Sequence, residues 1–179
     1  MLRWLEQDAR TDTLTGLHNR HAFDEEIASR CEASKTTGDP VTLVVASVVG
    51  RAEIAKTYGD EAGDELLRRT STCVTWCIRG NDFAARVDPD TVAVLLAGAD
   101  INVGQMVARR IVHRMHQGNA DAGMRAAPID SIFGIASRSA SNPDDLVAAA
   151  MTQVETQRSE LESPVPFVLA DDEDGPSVA

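Results

Sequence analysis

Apolar residues at four-residue spacing open the chain's pattern. Phe23, Ile27 and Cys31 in "NRHAFDEEIASRCEAS" share one helical face, with Asn19 where an N-cap belongs. "TTGDP" breaks that helix. "VTLVVASVV", residues 41–49, is a continuous β-branched run, the mark of a central strand covered on both faces. Over 60–78 a second helix is predicted, with Leu66, Leu67, Thr70, Cys73, Val74 and Cys77 as its buried stripe. Residues 82–98, "DFAARVDPDTVAVLLAG", read as two strands joined by a tight Asp-Pro-Asp turn. Pro presets φ at the second turn position and Asp caps the first. "INVGQMVARRIVHRMH" turns Val103, Val107, Ile111 and Met115 inward, and "IDSIFGIAS" is a further buried strand. "SNPDDLVAAAMTQVE" starts a last helix, with Asn142 as N-cap, Pro143 at the first helical position and acids in the first turn.

Helices interleaved with strands, two of them a hairpin, predict an α/β (α+β) fold: a mixed central sheet flanked by helices. The domain is expected over 11–160. "MLRWLEQDAR" (1–10) reads as the end of an amphipathic linker helix. In 161–179, "VPFVL" is expected to add an edge strand before a disordered acidic tail.

A length of 179 residues suits one well-filled core and is short for two ordinary domains. No apolar run approaches the roughly 20 residues that span a bilayer, and no signal-peptide core is present, so a cytoplasmic protein without membrane insertion is expected. The net charge of −11 repels nucleic acid, and an anionic ligand would need a local basic pocket. Three cysteines without metal-type spacing suit a reducing compartment, with Cys73 and Cys77 filling core. His18 with His21, and His113 with His116, have a spacing that permits a shared metal. Lacking carboxylate or thiolate company, they read as helix histidines, and no metal or cofactor is expected.

Three stretches together carry a family resemblance. "DTLTGLHNRHAF" (12–23) resembles the Asp-x-Leu-Thr-Gly-Leu-x-Asn-Arg opening of GGDEF domains, the diguanylate cyclases. "YGDEAGDELLRR" (58–69) is similar to their Tyr-Gly-His-x-x-Gly-Asp-x-x-Leu helix start, which makes Gly59 and Gly63 loop and helix-start geometry. "RGNDFAARVDPDTVAVLL" (79–96) resembles the Arg-x-x-Asp-x-x-x-x-x-Gly-Gly-Asp-Glu-Phe segment, and "SIFGIA" (131–136) echoes a late Ser-Ile-Gly strand. The resemblance covers about residues 10–158. It implies a domain that would join two GTP molecules into cyclic di-GMP on a dimer, with Mg²⁺ held by carboxylates at the first strand's end and on the hairpin.

This chain departs from the family at those positions. Asp-x-Asp-x-Phe-Lys becomes Ser47-Val48-Val49-Gly50-Arg51-Ala52. An Asn and Asp that grip guanine and ribose become Ala55 and Lys56. Gly-Gly-Asp-Glu-Phe becomes Asp88-Pro89-Asp90-Thr91-Val92, so the glycines that admit close backbone approach are lost and the metal-binding Glu falls at Thr91. The phosphate-facing Lys of the last helix falls at Arg158. No catalytic residue and no resident metal are therefore expected, and the Asp-Pro-Asp turn is read as a turn. The Arg-x-x-Asp element survives as Arg79 and Asp82, with Arg110 on the next helix, in register with the family's product-binding inhibitory site. Arginine forks read guanine O6 and N7 or phosphate, and a carboxylate accepts from guanine N1 and N2. Arg68, Arg69, Arg86, Arg109 and Arg114 are expected to make the surroundings basic.

The leading expectation is thus a catalytically silent domain that binds cyclic di-GMP through Arg79, Asp82 and Arg110. Two alternatives stay open. One is a scaffold that docks a partner protein or a second copy, with Arg79 and Asp82 as a local ion pair. The other uses Arg51, Lys56 and Arg158 to hold GTP or another nucleotide without metal in the old active site.

Overall fold

The computed structural model describes residues 10–122, 127–139 and 141–162. The linker segment 1–9 and the expected edge strand and tail beyond 162 lie outside the described residues. The elements run α1 (Arg20–Thr37), β1 (Val41–Val48), α2 (Arg51–Tyr58), α3 (Asp60–Cys77), β2 (Phe83–Asp88), β3 (Thr91–Leu96), α4 (Ile101–Ala122), β4 (Ser131–Arg138) and α5 (Pro143–Glu162).

The sheet order is β2-β3-β1-β4. β1 is central, and all eight of its residues are buried, as its unbroken apolar run requires. On one face Val44 and Val48 meet Leu66, Leu67 and Val74 of α3 and Ile111 and Met115 of α4. On the other, Leu43 and Val45 meet Phe23, Ile27 and Cys31 of α1 and Leu146, Ala150 and Val154 of α5. The result is helix, sheet and helix in three layers, the α+β class the sequence implies.

Two details differ from expectation. The sheet was expected to be mixed, yet every pairing among its four strands is antiparallel. The two crossovers interlock: β1 and β2 run parallel but flank β3, and β3 and β4 run parallel but flank β1, the split βαβ arrangement. Parallel contact survives only as the isolated bridge His18–Ala85. The short helix α2 was not foreseen. It buries no residue, so it leaves no apolar period in the sequence.

Two glycines answer to close approach. A Cβ on Gly63 would lie 2.9 Å from the Ala55 Cβ, so the bare backbone lets α3 pack on α2. A Cβ on Gly134 would lie 1.9 Å from the Ala150 carbonyl oxygen, so α5 rides directly on the backbone of β4. Gln153 of α5 uses that proximity, accepting from the Ile135 amide at 3.0 Å and donating to its carbonyl at 2.8 Å. Cys31, Cys73 and Cys77 are buried and free, and burial pushes all three thiols up. Gly134→Ala forces α5 off the sheet and is expected to cost about 3 kcal/mol, read as a lower urea midpoint.

Candidate functional site

The opening motif turns out to be structural. Asp12 accepts from the Thr15 amide at 2.9 Å and from its hydroxyl at 2.7 Å, closing the loop that Asn19 then caps into α1. Its other oxygen takes Arg86 Nη1 at 3.1 Å, while Arg86 Nη2 donates to the Pro89 carbonyl at 2.9 Å. One guanidinium thus ties the N-terminal loop to the hairpin turn. Backbone bonds from His18 to Ala84 and from Arg86 to His18 complete the seam. Burial raises the Asp12 carboxyl, but the Thr15 bonds and the Arg86 charge outweigh it and hold the group below its ordinary value.

The turn itself is Pro89-Asp90. Proline's fixed φ excludes the mirror-image turns that suit two-residue hairpins, and a register shift between Arg86 and Asp88 absorbs the mismatch. Asp88 is exposed. Ser47 and Thr91, the positions of the family's metal carboxylates, sit directly opposite each other across β1 and β3, both buried. Arg158 Nη2 donates to the Ser47 hydroxyl at 2.6 Å. Arg51, at the start of α2, bridges Asp64 at 2.5 Å and Asp90 at 2.9 Å, and its buried Nε has no partner among the described residues. The bond to Asp64 most strongly raises the Arg51 guanidinium, burial opposes it, and Asp90 adds to the rise. Val49 joins the apolar cluster under α1 and α5, and Ala55 lies against Gly63. Between these groups is a cavity of about 390 Å³, lined among others by Gly50, Arg51, Asp90 and Arg158. Lys56 is exposed and does not line it.

Magnesium does not fit this pocket. Two neutral hydroxyls stand where carboxylates would be needed, a guanidinium holds one of them, and Arg51 takes up Asp90. Among the described residues no group of three or more His, Cys, Asp or Glu is placed to hold a metal. His18 stacks on Phe83 with ring centroids 4.1 Å apart, His21 lies 3.4 Å from Glu25, and His113 bonds Gln117.

A second site lies at the C-terminal end of α3. Asp82 accepts from the Arg79 amide at 2.8 Å and from the Ala97 amide at 3.0 Å, tying the turn after α3 to the end of β3. The Arg79 side chain is exposed. Arg110 of α4 donates to the Cys77 carbonyl on the same helix end. The three expected residues therefore converge. The expected basic surround is corrected in part. Arg68 pairs with Glu61 and Glu65, Arg69 binds the Ala127 and Gly118 carbonyls, and Arg86 belongs to Asp12. Arg109 faces the opposite side of α4, beside His113 and Phe133. Arg114 does lie here, 5.4 Å above the ring of Trp76. Sequence reading missed Trp76, whose exposed place off the apolar stripe of α3 was its only signal. It also missed the Asp64–Arg51 pair, which no local pattern announces.

The family model described as diguanylate cyclase, GGDEF domain, matches residues 9–162. The chain belongs to the GGDEF family. Among relatives of this GGDEF domain, Response regulator PleD of Caulobacter vibrioides is 31% identical over 108 residues, 60% of this chain and 23% of PleD. Probable diguanylate cyclase DgcE of Escherichia coli is 27% identical over 135 residues, 69% of this chain and 12% of DgcE. The chain thus spans less than a quarter of the length of these relatives. The coiled coil and GGDEF domain of DgcB from Caulobacter crescentus, solved in complex with c-di-GMP, superposes with a TM-score of 0.79 at 22% identity, covering 89% of this chain and 85% of that one. The likeness establishes the fold. No helix among the described residues is long and apolar enough to cross a membrane.

Because Asp12 is held below its ordinary value, its stabilisation is complete above about pH 5 and fades as pH falls through the folded value, below about 4. Asp12→Asn is expected to lose about 1–3 kcal/mol at pH 7 by urea unfolding, with the gap to the parent closing toward pH 2.

Proposed function

We propose that this GGDEF domain does not synthesise cyclic di-GMP but binds it as a signalling domain, through Arg79, Asp82 and Arg110. The observation that carries the first half is the Arg158–Ser47 bond: a fixed cation stands where the reaction would need acidic oxygens to hold its metal. The second half is supported by the convergence of the three residues on one helix end and by the c-di-GMP complex of the related DgcB domain. Asp82 already holds two amides, but each carboxylate oxygen keeps a second lone pair for a guanine donor. The exposed Arg79 fork is free to read O6 and N7 or a phosphate. Such a role belongs in the cytoplasm, where the dinucleotide and reduced thiols coexist.

Incubation with GTP and Mg²⁺ is expected to yield no cyclic di-GMP by chromatography, and appearance of product would overturn the first half. Calorimetry is expected to show cyclic di-GMP binding that Arg79→Ala weakens about tenfold or more, equal to roughly 1.4 kcal/mol. Absence of heat with the parent protein would overturn the second half.

The old active site supports a second reading. Arg158 offers its remaining donors and Arg51 an unpaired Nε beside a cavity of about 390 Å³. A nucleotide phosphate held there would be balanced by guanidinium rather than metal. GTP binding in EDTA, lost in Arg158→Ala and kept in Arg79→Ala, is the expected signature, and a strict Mg²⁺ requirement would refute it.

A further inference from the structure

Arginine in this chain is mostly matched by acid. Arg10, Arg20, Arg30, Arg51, Arg68 and Arg86 each hold a carboxylate within ion-pair distance. Arg79, Arg110 and Arg114 do not, among the described residues, although the chain carries a net charge of −11. Arg110 donates only to a backbone carbonyl, Arg114 lies over an indole, and Arg79 projects from the turn after α3. These three unneutralised guanidiniums surround one aromatic, Trp76, which precedes Cys77 on α3 and is 71% exposed. The apolar stripe of α3 runs along the opposite side of the helix, so no core packing asks for an indole there. One face of the ring is covered by the Arg114 guanidinium at 5.4 Å. A cation on that face polarises the π-system and fixes the ring's orientation, while the rest of the indole stays open.

We infer that Trp76, backed by Arg114, is a stacking platform for a purine base of a phosphate-bearing ligand whose anionic part is held by Arg79 and Arg110. The chemistry is that of a planar ring bound next to a dianion: the indole supplies a dry face and the unmatched arginines supply the charge. A flat base also uses a surface on which an aliphatic side chain would gain little, since stacking depends on ring against ring. The inference rests on reading the α3 turn as the cyclic di-GMP site, and it names the residue that would grip the base there rather than the phosphates.

The test uses the full chain and cyclic di-GMP. By calorimetry, Trp76→Ala is expected to raise Kd about tenfold, while Trp76→Phe stays within about threefold because a ring is retained. The chain has two tryptophans, so a Trp4→Phe background isolates Trp76, and its emission is expected to quench with the calorimetric Kd. If the parent binds and Arg79→Ala does not, yet Trp76→Ala binds normally and the indole signal is flat, the platform is overturned while the site itself stands. If the parent does not bind at all, both fall. A Trp76→Ala variant that alters sedimentation but leaves Kd unchanged makes the indole a contact between copies and likewise overturns the platform.

Discussion

Strand β1 is buried along its whole length and hydrogen-bonded on both edges, so its C-terminal end is the most constrained point in the domain. Ser47 faces Thr91 on one side and Ile132 on the other, beneath a helix on each face of the sheet. A polar atom there cannot be left without a partner, because water does not reach it. Arg158 meets that requirement from the last helix, and α5 is close enough to do so only because Gly134 lets it ride on the backbone of β4. The packing of the last helix and the chemistry at the strand end are therefore one constraint.

Charge follows from the same geometry. A strand end with two carboxylates attracts a divalent cation; one with two hydroxyls and a guanidinium repels it. Arg51 adds to the inversion by drawing Asp90 of the hairpin and Asp64 of α3 onto one fork. The turn that would present acid to a substrate is instead anchored to the helix pair. Across the molecule the other arginine fork, Arg86, anchors the same turn to the N-terminal loop. Held from both sides, the hairpin tip is a structural joint.

The element order was largely legible because each long element writes its period into the chain. Phe23, Ile27 and Cys31 at four-residue spacing did become the buried face of α1, and the β-branched run did become the central strand. The short helix α2 escaped because it buries nothing. The sheet's pairing escaped because strand neighbours depend on how two crossovers interlock, which no local pattern records. At the α3 turn the spacing of Arg79 and Asp82 was readable, whereas the dispersal of Arg68, Arg69 and Arg86 to other partners was not.

By itself, the sequence determined the family, the helices with long apolar stripes, and the loss of acidic oxygens at Ser47, Val49 and Thr91. Those are properties of residue type and spacing, which survive any arrangement in space. Only the tertiary structure decided what replaced the lost acids, because Arg158 and Ser47 stand 111 positions apart in the chain. It also decided which arginines keep free charge, since an ion pair depends on distances that folding sets.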